Sequence, residues 1–434
     1  MNLLRKAAWA AVAALAAAVC TGPASATDGY FSHGYGTRAK GMGGAGVALP
    51  QDSTIVTLNP AGAMRVGNRY DLSAALFHPE RGYRVDGNPS GAPGTFGLAP
   101  GSHESDNNNF GVPGFTVNRT MNDRAAFAFT LTANGGMNTT YRAEPGYQGP
   151  YGSGEAGVNL SQMFFGPTVA IAVGPRTAVG LSAVFAWQSF ECRGVKSFGG
   201  MVADGKPDGL TDNGASSSTG FGWRIGALHN VTPHLTLGAA FQTQMHMSRF
   251  QGYTDLFAEG GKFDIPASAT LGLAYRTSNN VVVALDYQHI WYRWIHAVGN
   301  PFANIYQGMA GDPTALLGGD NSPGFGWRNM TVWKLGAQWD AGRGWTLRTG
   351  INYGRQPIPG SEVLFNILAP GVQQWHYTAG FTKDMGDAGE ISLAFMYSPD
   401  NTVQGWNLME APNQQLITLH MHQVELEMSW GKKF

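Results

Sequence analysis

The chain ends on QVELEMSWGKKF, residues 423–434. Val424, Leu426, Met428 and Trp430 fall on one side of an extended chain that finishes at Phe434, and Gln423, Glu425, Glu427 and Ser429 fall on the other, because successive strand side chains point to opposite faces. A terminal strand with one fully apolar face invites aggregation if its edge stays open. A closed β-barrel in a membrane satisfies both the edge and the greasy face.

The same two-residue alternation recurs upstream. Val179, Leu181, Phe185 and Trp187 alternate with Gly180, Ser182 and Gln188, and Trp345, Leu347, Ile351 and Tyr353 alternate with Thr346, Arg348 and Asn352. Fourteen such segments run from residue 70 to the end, among them 70–77, 125–132, 235–247, 390–397 and 416–434. Short polar links such as 174–177 and 341–344 take turns with long Gly/Asn/Pro-rich ones such as 78–110, 190–219, 293–329 and 355–374. Periplasmic turns and extracellular loops alternate in this way in outer-membrane barrels. The expected fold is therefore all-β, a transmembrane antiparallel barrel of about 14 strands.

Composition agrees. Charged residues make up 13% of the 434 and aromatics 12%, against about a quarter charged in soluble domains. Arg5 and Lys6, the Ala-rich run 7–19 and Ala24-Ser25-Ala26 read as a secretory leader, 1–26. Its removal takes Cys20 with it and leaves Cys192 without an internal disulfide partner. No stretch approaches the roughly 18 apolar residues of a spanning helix. A net charge of -1 gives no basis for nucleic-acid binding.

Residues 27–68 do not alternate. They hold Gly41-Met42-Gly43-Gly44-Ala45-Gly46, then Asp52, then Asn59-Pro60-Ala61, and are expected to form a separate small unit ahead of the barrel, 69–434. The glycines fit G-x-G-x-x-G only formally, because no strand precedes them and no βαβ unit follows. A secreted Gly-rich segment, an Asn-Pro-Ala triplet just before the first strand, and a barrel of this strand count together resemble the FadL-type long-chain fatty acid and hydrocarbon transporters (OmpP1/FadL/TodX-like). The resemblance covers nearly the whole mature chain. It implies that 27–68 is a hatch plugging the lumen, with Asn59, Pro60 and Ala61 as its corner. It also implies an inward kink in the third strand that opens the wall sideways, with Asn134, Gly135 and Gly136 on the matching positions. In the family an arginine lies just past the fifth strand, and Arg193 falls one place from it.

Other candidates follow from the residues themselves. Val363, Leu364, Phe365, Ile367 and Leu368 make an apolar loop suited either to capturing a hydrophobic solute at the outer surface or to packing on itself over the barrel mouth, and the two are compatible. Ile417, Leu419 and Met421 continue the lumenal face of the last strand and would line an apolar pocket if no bulge intervenes. A fatty-acid carboxylate would need a cation, and Arg224, Lys334 and Arg348 project inward by the alternation. Trp430 and Phe434 resemble the terminal signal read by the barrel-assembly machinery. No catalytic or metal constellation is recognisable, and His246, His420 and His422 read as rim residues. The expectation is a monomeric outer-membrane transporter without cofactor that meets lipid, lipopolysaccharide and a hydrophobic small molecule. An aqueous porin and a barrel hydrolase are the alternatives.

Overall fold

The structure is a computed structural model describing residues 28–277 and 280–434, so the leader expected at 1–26 lies outside the described residues. Sixteen strands follow in order: β1 Arg69–Asp86, β2 Gly101–Glu104, β3 Phe110–Asn122, β4 Ala125–Tyr141, β5 Ala156–Ala172, β6 Thr177–Arg193, β7 Ser216–Asn230 and β8 Leu235–Gln242, then β9 His246–Met247, β10 Ser268–Arg276, β11 Val281–Ile290, β12 Met330–Gly342, β13 Trp345–Gly354, β14 Trp375–Asp384, β15 Glu390–Trp406 and β16 Leu416–Lys433. Fourteen of them pair antiparallel with their neighbours, and β16 closes the ring on β1 from Arg69↔Lys433 to Asp86↔Leu416. The short strands β2 and β9 lie outside that ring, on β1 and β7.

Each segment that alternates in the sequence is a wall strand, though several run further than the alternation: β6 to Arg193 and β7 from Ser216 take the ends of the expected loop 190–219, and β5 begins at Ala156. β1, β4 and β15 run past Phe77, Thr132 and Tyr397, because backbone pairing persists above the lipid after the outward positions turn polar, as at His78, Glu80 and Arg84. The run 235–247 is broken after Gln242. The outer face carries Leu181, Phe185, Ile225, Leu335 and Leu426, all exposed, with Trp187, Trp223, Trp333, Trp375 and Tyr397 toward one rim. Tyr70, Trp430 and Phe434 gather at the other, where the Tyr70 ring lies 5.4 Å from Trp430 and 5.9 Å from Phe434. Two aromatic girdles flanking an apolar band are what a bilayer selects.

Residues 28–68 thread the lumen. They form a short helix, Thr37–Lys40, and two 3-10 turns, Ser53–Thr57 and Pro60–Arg65, almost wholly buried against the inward faces of the wall.

Candidate transport route

The plug is seated on wall glycines. Inward-facing glycines sit opposite one another on neighbouring strands, as Gly180↔Gly226, Gly238↔Gly272 and Gly336↔Gly350. A Cβ at Gly180 would lie 2.4 Å from the Pro60 carbonyl carbon, at Gly238 2.4 Å from the Val47 oxygen, and at Gly350 2.1 Å from the Met42 carbonyl carbon. Only glycine lets two backbones approach this closely. Asn59 locks the corner that the sequence marks: its Nδ2 donates to the carbonyls of Val47 (2.8 Å) and Ala227 (2.9 Å), and its Oδ1 accepts from the Ala61 amide (3.1 Å). Pro60 opens the following turn, where its missing N–H costs nothing.

Charges hold the other side. Lys40 Nζ lies 2.5 Å from Glu425 and 2.6 Å from Glu427, Arg38 meets Glu390 at 2.5 Å, and Arg69 joins Asp71 at 2.6 Å and Glu390 at 2.9 Å. Burial favours the neutral Lys40 amine, but the two carboxylates outweigh it and hold the ammonium above the ordinary lysine range. Asp286 Oδ2 accepts from the amides of Gly46 (2.8 Å) and Val47 (2.9 Å).

The wall itself is interrupted beside the plug. The β3–β4 ladder runs from Asn122↔Ala125 to Gly114↔Thr132 and stops there, although β3 stays on β1 up to Phe77↔Phe110 and β4 stays on β5 up to Tyr141↔Ala156. Pro113, next along β3, has no N–H to offer. Asn134 is an extra residue in β4, since Ala133 opposes Met163 and Gly135 opposes Gln162. This is a β-bulge, which bends the strand and frees its edge. The plug takes up that edge: Phe31 pairs with Gly135, the Ser32 amide donates to the Asn134 carbonyl (3.0 Å), and the Tyr35 hydroxyl donates to Asn134 Oδ1. Further out the wall closes again, where the Asp106 amide donates to the Thr140 carbonyl at 2.9 Å.

Two apolar cavities lie in the lumen beyond the plug, and the inner one borders this gap. The outer, of about 50 Å³, is lined by Tyr151, Phe190, Cys192, Phe198, Phe325, Phe365 and Leu368. The inner, of about 30 Å³, is lined by Gly29, Phe77, Arg81, Gly136, Met137, Trp327, Ala369 and Met421. Phe325 of one and Trp327 of the other lie 6.4 Å apart, and Leu368 precedes Ala369.

The positions singled out in the sequence divide accordingly. Asn59, Pro60 and Ala61 lie in the plug seat, and Asn134, Gly135 and Gly136 lie at the wall gap. Ile417, Leu419 and Met421 face inward and are buried; the bulge at this level lies in β15, between Ser398 and Asn401, and leaves the alternation of β16 down to Glu425 intact. The stretch 363–368 takes the second of the two places expected for it. It folds into the barrel mouth, where the Tyr151 hydroxyl donates to the Leu364 carbonyl and the Tyr141 hydroxyl to the Ile367 carbonyl, both at 2.9 Å, and the Thr139 hydroxyl to that of Leu368 at 2.8 Å. Apolar side chains bury themselves when a lumen is available.

The proposed carboxylate partners are differently employed. Lys334 pairs with Asp28 at 3.1 Å and donates to the His33 carbonyl, Arg348 donates to Gln51 and Thr382, and Arg224 donates to Gln242 at the lumenal wall. Arg193 is on the outer face, one residue past the inward Cys192, and pairs with Glu155 and Glu191, so it does not reach the lumen. The seat glycines and Arg81 escaped the sequence reading. The glycines left a signal, a single Gly in place of an inward polar residue on successive strands.

A family model, outer membrane protein transport protein (OMPP1/FadL/TodX), matches residues 14–416. No curated protein sequence matches. The solved structure of a Pseudomonas aeruginosa FadL homologue superposes with a TM-score of 0.67 at 15% identity, over 94% of this chain and 100% of that one. The P. putida toluene transporter TodX gives 0.64 at 18% identity over 93% and 99%, and the Ralstonia pickettii toluene transporter TbuX 0.62 at 17% over 93% and 99%. At these identities the likeness is one of fold.

Proposed function

The chain belongs to the outer membrane protein transport family OMPP1/FadL/TodX, and we propose that it admits long-chain fatty acids or related hydrocarbons passively, released by its plug and passed sideways through the wall. The observation that carries this is the unpaired stretch between β3 and β4 with the plug laid along its free edge. An aqueous porin needs an open polar lumen, whereas here the lumen is occupied by 28–68 and the cavities beyond it are apolar. Cargo enters among the aromatic side chains of the loops, passes Phe325 and Trp327, and reaches Gly136. Withdrawal of Phe31 and Ser32 from β4 then uncovers the gap.

A reversible crosslink tests the step. Opposed residues in an antiparallel pair have Cα atoms about 4.5–5.5 Å apart, inside the roughly 4.4–6.8 Å that a disulfide spans. Phe31→Cys with Gly135→Cys, oxidised, should bring uptake of labelled fatty acid and hydrocarbon into proteoliposomes to background, and reduction should restore it. Equal uptake in both redox states would remove the gating step.

A further inference from the structure

Arg81 is the cation of the inner cavity. It is 3% exposed and lines that cavity beside Gly136 and Met137. Its Nε donates to the Asn138 carbonyl (2.6 Å), Nη1 to the Pro79 carbonyl (2.8 Å) and Asn108 Oδ1 (3.1 Å), and Nη2 to the Asn107 carbonyl (2.6 Å) and Asn138 Oδ1 (2.9 Å). Every acceptor is a neutral oxygen. The Phe110 ring, 5.4 Å from the guanidinium carbon, adds a cation–π contact.

Buried charges are ordinarily paired, because desolvation without a counter-charge is costly. Arg38, Lys40, Arg69 and Lys334 obey this rule with Glu390, Glu425, Asp71 and Asp28. Among the described residues Arg81 has no carboxylate in an ion pair. Arg224 and Arg348 share that lack, but Arg348 is turned to the plug, and Arg224 adjoins Tyr35, Thr57 and Leu58 of the plug. Arg81 alone of the three adjoins the apolar route. It also spans the gap, holding β1 to Asn138 of β4 and to 107–108 of the preceding loop, above the point where β3 and β4 part.

We infer, building on the transport reading above, that Arg81 is an anion-responsive clasp: a cargo carboxylate displaces the side-chain oxygens of Asn108 and Asn138 from the guanidinium and loosens the crossing over the gap. A carboxylate offers two charged acceptors in the fork geometry that arginine prefers, in exchange for two neutral amide oxygens. A cavity of about 30 Å³ holds roughly two water-sized groups, the size of a carboxylate and not of its chain. The head group therefore rests at Arg81, and the chain, longer than the outer cavity of about 50 Å³ can hold, parts the aromatic side chains that line it. Selectivity for acids over neutral esters follows.

Uptake of laurate and of methyl laurate into proteoliposomes tests this. In Arg81→Gln the ratio of laurate to methyl laurate uptake should fall at least about tenfold, as loss of a charge-assisted pair implies, and Arg81→Lys should recover part of it. An unchanged ratio would overturn the inference, whether both rates fall together or neither falls. A second variant guards against misfolding of the first. Asn108→Ala removes a competing oxygen from a loop, so laurate affinity by titration calorimetry should rise a few-fold, and unchanged or weaker binding refutes the clasp. Should wild-type protein transport neither compound, the transport reading itself fails.

Discussion

Gly350→Ala is the smallest change that should unseat the plug while sparing the barrel. A Cβ there would lie 2.1 Å from the Met42 carbonyl carbon and 2.3 Å from the Gly43 nitrogen, both backbone atoms. An ordinary contact begins near 3.4 Å, so the turn at 42–43 must retreat by about 1.3 Å. Thr378 stands opposite Gly350 in the wall, and its Oγ1 accepts from the Gly43 amide at 2.7 Å. The same retreat would stretch that bond to about 4 Å, beyond hydrogen bonding, and would strain the two amide bonds to Asp286. The neutral bond amounts to about 0.5–1.5 kcal/mol of seating energy, and loss of both charge-assisted ones would add about 3–6 kcal/mol. The wall loses nothing comparable, since alanine is tolerated in a strand. Single-channel recording in planar bilayers should therefore show openings that wild type lacks, with heat-modifiable migration intact. Gly174→Ala, where a Cβ meets nothing within 4 Å, is the matched control. Wild-type conductance in Gly350→Ala, with the barrel folded, would refute the idea that the glycine seat holds the plug.

Gly136→Val should put a β-branched residue at the edge of the gap and favour a continuous strand, lowering uptake at least about fivefold at equal surface level. Uptake at the wild-type rate would move the exit elsewhere. Removal of Phe434, which is 61% exposed on the outer face and packs on Tyr70 rather than reaching the lumen, should lower membrane levels more than uptake per molecule. Quantitative blotting beside an uptake assay separates the two.

The wall was legible because lipid imposes alternation on every strand it touches. Legibility ended where lipid ended. Above Phe77 the outward positions become His78, Glu80 and Arg84, the apolar signal disappears, and β1 looks finished, although its backbone pairs on to Asp86. Arg81 was hidden for that reason, as it sits in a stretch that reads as loop. The segment 363–368 shows the complementary limit: its composition demands burial, but only the folded lumen decides that burial occurs inside the barrel mouth. The seat glycines were visible only one at a time, because their meaning lies in pairs such as Gly336↔Gly350 that only strand register reveals.

The layering of the lumen argues for where cargo leaves. On the plug side of the gap a solute meets Lys40 with Glu425 and Glu427, then Arg38 and Arg69 with Asp52, Asp71 and Glu390. An alkyl chain that displaced this layer would leave charges buried and unpaired, at about 3–5 kcal/mol for each broken pair. Having passed it, the chain would enter water and forfeit about 0.8 kcal/mol per methylene, roughly 9 kcal/mol for a chain of about twelve carbons. Leaving between β3 and β4 incurs neither cost, because the cavity wall there is apolar and hydrocarbon lies outside it. What must be broken instead is the short pairing of Phe31 and Ser32 with the bulged strand and the hold of Arg81 on Asn138, a few hydrogen bonds of about 1–3 kcal/mol each. The bulge, Pro113 and an arginine without a counter-charge thus concentrate the weakness of an otherwise closed wall at one place, on the lipid side of the charged layer.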